Sequence, residues 1–163
     1  MRVGAAIDIA APAELVWEFV TDPARYLHFM SAITRWEVTS EQDRGLGARY
    51  RTLMRVGSAE VGGVVEIVEC DALRDLAWTS VTGIDQRGRW RLRDIGGTAS
   101  RTRVELRMQY GVAGAGLIGW LAEQVAAPAV RENLRRSLQE LRRQAEHEQA
   151  RAAVAARRAA AAR

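Results

Sequence analysis

Between Gly111 and Arg143 the chain carries one stretch that reads as a long amphipathic helix, and its apolar stripe limits what the remainder can be. The stretch opens loosely, with Gly111, Gly114, Gly116 and Gly119 among small apolar residues. It continues through Leu117, Leu121, Val125, Pro128, Leu134, Leu138 and Leu141. Steps of mostly three and four residues set these side chains on one side of a helix. A single helix cannot bury such a stripe alone, so the rest of the chain must supply a sheet or another helix to cover it.

The preceding segments alternate with period two. Val3, Ala5, Ile7 and Ile9 alternate with Arg2, Gly4, Ala6 and Asp8, which predicts a strand over residues 2 to 9. A short helix follows from Pro12 to Val20, with Val16, Phe19 and Val20 inward. Asp22 then suits an N-cap and Pro23 the first helical position of a second short helix carrying Tyr26, Leu27, Phe29 and Met30. From there strand follows strand: Ile33 to Ser40, Ala48 to Val56, Glu60 to Cys70, Leu73 to Thr82, Gly88 to Ile95 and Arg101 to Tyr110. Trp36, Tyr50, Thr52, Met54, Trp90, Val104, Leu106, Met108 and Tyr110 fall on one side of these strands, and mostly arginines fall on the other. Two-sided strands of this kind belong to an antiparallel sheet with one wet and one covered face. The expected architecture is α+β: a curved antiparallel sheet of about seven strands, two short helices after the first strand, and a long C-terminal helix held in the concavity.

Charge locates a boundary. The sequence holds 24 arginines against 20 acidic residues, and no lysine, which removes lysine Schiff-base chemistry. Arg151, Arg157, Arg158 and Arg163 follow the last acid, so the net charge of +4 belongs to the end of the chain and the body is neutral. A neutral body argues against a large nucleic-acid face on the fold. We therefore read residues 1–143 as one domain and 144–163 as an Ala/Arg-rich helical tail. Contact of that tail with nucleic acid or anionic lipid is the alternative to a simply solvated extension.

Cys70 is alone and suits a reducing compartment, and His28 and His147 are the only histidines, so no metal-ligand cluster is expected. No cofactor is expected either. Asp8 interrupts any signal-type core near the start. Glu123 would cost roughly 3 kcal/mol near mid-membrane if residues 111–130 spanned a bilayer. The expectation is a cytoplasmic protein without integral membrane association.

The order of elements, with certain residues, resembles the polyketide cyclase/dehydrase and START-like (SRPBCC, Bet v 1-like) superfamily of the helix-grip fold. The matching pieces are Ile7-Asp8-Ile9-Ala10-Ala11-Pro12 leading to Val16-Trp17, Thr21-Asp22-Pro23-Ala24-Arg25-Tyr26, Gly45-Leu46-Gly47-Ala48, Trp78, Gly96-Gly97-Thr98 and Glu132-Asn133-Leu134. What this resemblance implies is a cavity between sheet and C-terminal helix that takes up a hydrophobic or aromatic small molecule, lipid or polyketide-like. It carries no catalytic set that transfers residue by residue.

Such a cavity draws its wall from Trp36, Tyr50, Met54, Trp78, Trp90, Met108, Tyr110, Leu117, Leu121 and Val125, with Tyr26 and Phe29 near the mouth. Aromatic faces with a few hydroxyls suit a planar, partly oxygenated ligand, although the same residues could simply fill a core. Candidates for chemistry are Tyr50 and Tyr110 as proton donors, His28 as a base, and Glu66 or Glu69. These two glutamates are three apart in one strand, so at most one should point inward. Pro128 removes a helix hydrogen bond and predicts a bend near Gln124 to Pro128. The glycine-loosened half before it could then act as a lid, or the bend could only follow the curvature of the sheet. Three functions compete: binding or carriage of a hydrophobic small molecule, aromatase/cyclase-type catalysis on a polyketide chain, and a toxin-like or nucleic-acid-associated interaction protein working through the basic tail.

Overall fold

The computed structural model describes residues 2–56, 58–111 and 116–162; the side chains of residues 56, 59 and 116–127 lie outside that description. Seven strands and three helices follow in the order β1 (Arg2–Ile9), α1 (Ala13–Thr21), α2 (Pro23–Phe29), β2 (Ile33–Val38), β3 (Arg49–Val56), β4 (Ala59–Asp71), β5 (Asp75–Gly83), β6 (Asp85–Asp94), β7 (Thr102–Gly111) and α3 (Gly116–Ala161). The strands form one antiparallel sheet in the order β1-β7-β6-β5-β4-β3-β2. β1 and β2 are therefore its edges. The first strand reaches the last directly, with Ile7 opposite Val104 and Val3 opposite Met108. This is the α+β helix-grip architecture, a curled sheet with α3 laid across it and two short helices inserted after the first strand.

Local chemistry explains the boundaries. Asp22 accepts the Ala24 amide at 2.9 Å and Pro23 follows it, so α2 starts where the cap and the fixed proline φ both favour a helix. β5 begins at Asp75, later than the expected Leu73, because Leu73 sits at φ 64° in the β4–β5 turn and cannot continue a strand. β6 begins at Asp85, earlier than Gly88, and so adds Gln86 to the covered face.

The core lies between the concave face of the sheet and the helices. Val130, Leu134, Leu138, Leu141 and Ala145 of α3 are buried, four or three residues apart as the sequence pattern requires. α3 packs chiefly on β1 and also touches α1 and α2. Ser137 fastens it from the side, its hydroxyl accepting the Ser31 amide at 3.0 Å and donating to Asn133 O at 2.8 Å. Contacts with the body continue past Arg143: Glu146 accepts the Ala10 amide at 3.0 Å, and Arg25 reaches Glu148 at 2.9 Å. From Arg151 to Ala162 every residue is exposed. Leu117, Leu121 and Val125, and with them the idea of a lid before Pro128, lie outside the described side chains. Among the described residues no helix is long and apolar enough to cross a membrane.

Candidate functional site

The candidate site is built from the inward halves of the alternating strands. Trp36 comes from β2, Tyr50, Thr52 and Met54 from β3, Trp78 from β5, Gln86, Gly88 and Trp90 from β6, and Met108 and Tyr110 from β7. Onto this wall α2 presses Tyr26 and Phe29. Both were expected near a mouth, yet they are 4 % and 1 % exposed, because the capped turn at Asp22 lays that face of α2 against the sheet interior.

Three rings form a stack. Tyr26 and Trp36 lie with centroids 4.0 Å apart at 11°, and Trp36 and Tyr50 lie 5.1 Å apart at 26°. Trp90 backs them: its Nε1 donates to the Tyr26 hydroxyl at 2.7 Å, and its ring meets Phe29 edge-on with centroids 6.1 Å apart. Trp78 lies over Gly88, where a Cβ would come within 2.0 Å of the indole, so only glycine leaves space for that ring.

Two small spaces of about 10 Å³ each remain in this wall. One is bounded by Tyr26, Trp36, Tyr50 and Ile67, the other by Trp36, Thr52, Met54, Trp78, Gln86 and Met108. Each holds one water at most. Neither is lined by a charged side chain among the described residues. Trp36 borders both, and its Nε1 is buried with no hydrogen-bond partner among the described residues. A donor left in that state costs about 1–3 kcal/mol, which an acceptor arriving in the space would recover.

The hydroxyls of the wall are donors. Burial pushes the Tyr26 phenol well above its usual range, only partly opposed by its bond from Trp90, and burial does the same to Tyr110. Tyr50 is pushed up to about 12 by burial and then by the Asp43 charge, with Arg44 opposing. All three stay protonated at neutral pH. Tyr50 spends its hydrogen on the Asp43 carbonyl at 2.6 Å, and the Tyr110 hydroxyl lies 3.1 Å from Met108 Sδ.

The remaining candidates stand elsewhere. Glu66 pairs with Arg49 at 2.7 Å and Glu69 with Arg89, and both arginines belong to the outward face. The expectation of opposite faces fails because register shifts, one of them between Ile67 and Glu69, break the alternation that separated them. His28 is exposed on the outer side of α2, and its ring is remote from the aromatic wall. Sequence reasoning passed over Gln86, Met30, Ile33 and Val65 as wall residues. Carrying the alternation of β6 back from Gly88 would have reached Gln86. Among the described residues no group of three or more His, Cys, Asp or Glu could hold a metal ion.

Comparison with known proteins agrees with this fold. A family model described as polyketide cyclase/dehydrase and lipid transport matches residues 1–146. No relative was found among curated proteins. Among solved structures, a protein of Thermus thermophilus is 23 % identical with a TM-score of 0.74, over 88 % of this chain and 95 % of that one. The Zhui aromatase/cyclase from Streptomyces sp. R1128 is 21 % identical with a TM-score of 0.71, over 90 % and 93 %. A START superfamily protein from Mycobacterium smegmatis is 16 % identical with a TM-score of 0.66, over 88 % and 97 %. At these identities the likeness speaks for the shared fold.

Proposed function

Because the chain belongs to the polyketide cyclase/dehydrase and lipid transport family, we propose that it binds a planar hydrophobic molecule bearing a carbonyl or hydroxyl oxygen, between the sheet and α3. The observation that carries this reading is the Trp36 indole: a buried donor without a partner among the described residues, set in an aromatic stack. The stack supplies flat apolar surface and the lone N–H supplies orientation, the combination that small-molecule sites use. Tyr26, Trp36, Met54, Trp78 and Met108 are the contacts we assign to the ligand, with Trp90 and Phe29 holding the wall from behind.

The two spaces among the described residues, about 10 Å³ each, are too small for such a molecule, so its entry on this side parts the wall. Trp36 is the element to move. β2 is an edge strand of six residues, paired on one side only and interrupted by a register shift beside Arg35. Among the described residues, the side chains lining the two spaces include neither a carboxylate nor an imidazole, which favours holding a ligand over moving protons. An aromatase/cyclase role would have to rely on the tyrosine hydroxyls as donors. The lone Cys70 thiol is exposed, which suits a reducing, cytoplasmic setting.

Native mass spectrometry of freshly purified protein tests for a co-purified compound, and tryptophan quenching tests candidates. An aromatic ketone should quench, and Trp36→Phe should weaken its binding by roughly threefold to tenfold, the range expected for one hydrogen bond. The same substitution should leave binding of the parent hydrocarbon unchanged. A flat response to both compounds, or equal weakening for both, overturns the reading.

A further inference from the structure

The chain's two histidines, far apart in sequence, face one groove on the outside of the molecule. His28 comes from α2 and His147 from α3, and the groove between them measures about 720 Å³. Gln144 joins its two walls by donating from Nε2 to the His28 carbonyl at 2.8 Å. On the α3 side Arg143, His147 and Arg151 succeed one another at four-residue steps, so they share one helix face. On the α2 side Arg25 stands beside His28, its guanidinium 4.4 Å over the Phe19 ring that α1 contributes to the floor.

Glu148, which lines the groove, and the nearby acids Glu140 and Asp22 are already taken. Glu148 is held by Arg25 at 2.9 Å and Glu140 by Arg143, while Asp22 shares Arg25 and Arg44. Arg151 and both imidazoles have no hydrogen-bond or ion partner among the described residues. Basic groups spaced four apart on a helix repel one another by a few tenths of a kcal/mol each; Glu140 relieves Arg143, while His147 and Arg151 have no paired acid among the described residues.

The geometry points to an anion site here, one that takes a phosphate group through Arg151, His147 and His28. A phosphate offers several acceptor oxygens at once, which suits a guanidinium and two imidazoles lining one groove from two helices. The groove is large enough for an organic group attached to that phosphate. A ring N–H of each imidazole can donate to one of those oxygens. The site is separate from the aromatic wall and does not depend on what that wall binds.

Having two histidines makes the test direct, because a proton–carbon NMR spectrum resolves their ring signals without ambiguity. The intact protein is titrated with inorganic phosphate at one fixed pH, against chloride at matched ionic strength. Both imidazoles should move with phosphate and not with chloride. Arg151→Ala should weaken this binding by roughly threefold to fivefold and Arg151→Lys should largely restore it, as for an exposed charge contact. Far-UV circular dichroism of each variant checks that the helix is retained. A shift in only one histidine, a shift equal to that with chloride, or full binding by Arg151→Ala overturns the site. Glycerol 3-phosphate and phosphatidylcholine vesicles containing phosphatidic acid then separate the sources. Binding of the soluble ester supports a free metabolite, and response to vesicles alone supports a lipid headgroup.

Discussion

Along β6 the residues turned inward are Gln86, Gly88, Trp90 and Leu92, and those turned outward are Arg87, Arg89, Arg91 and Arg93. The inward set carries no charge and is organised by ring packing. Trp90 is 0 % exposed, its single polar atom satisfied by Tyr26. The outward set is organised by one carboxylate. Asp75, whose side chain is 10 % exposed, takes hydrogen bonds from Arg91 at 3.0 Å and Arg93 at 3.1 Å and a looser one from Arg89, which also binds Glu69. This arrangement offsets the repulsion of like charges directly opposite, as at Arg89 and Arg107 or Arg93 and Arg103. The inner face thus gains by area removed from water, and the outer face by pairing that solvent screens. The inner contribution should be large and insensitive to pH and salt, the outer one small and sensitive to both.

The comparison breaks most visibly at Trp90. Trp90→Ala should cost about 3–5 kcal/mol in chemical denaturation, as for a fully buried large aromatic. A loss under about 1 kcal/mol would mean that the wall is not a packed core. Gly88→Ala comes next. Its methyl would collide with the Trp78 ring, and a cost of about 1–3 kcal/mol is expected, together with a changed tryptophan emission spectrum. An unchanged spectrum would place Trp78 away from Gly88.

Asp75→Asn probes the outer face and should cost about 1 kcal/mol, less at high salt. Burial raises the Asp75 carboxyl, and the hydrogen bonds and charges of Arg91 and Arg93 more than reverse this, leaving it below its usual value. A depressed acid stabilises the fold above its unfolded value of about 3.9, and that stability is lost as pH falls through the lower folded value. The gap between wild type and Asp75→Asn should therefore be constant near neutrality and close below about pH 4. A gap that persists in acid would assign the effect to something other than the charge.

Much of the architecture was legible because the signals for it are local. The Asp22-Pro23 pair announces α2, and the alternations of β3, β6 and β7 announce which residues are covered, with Tyr50, Trp90 and Met108 on the side the pattern assigns them. The errors have one physical source. Glu66 and Glu69 were separated by counting, and a register shift put both on the outer face. Tyr26 and Phe29 were assigned to a rim, whereas the seating of α2 buried them. The helical pattern beyond Arg143 gave no hint that Gln144 would reach the carbonyl of His28 and bring the histidines together.

The amino-acid sequence by itself determined the kinds of element, their order and the side each strand would cover, since periods of two and of about four residues are properties of neighbouring positions. Only the tertiary structure decided which polar atoms found partners. Trp36 Nε1 was left without one among the described residues, Trp90 Nε1 was given Tyr26, and the two histidines came to share a groove. Each of those outcomes turns on a few ångströms between residues distant in the chain, set by register and helix seating, which no local pattern encodes.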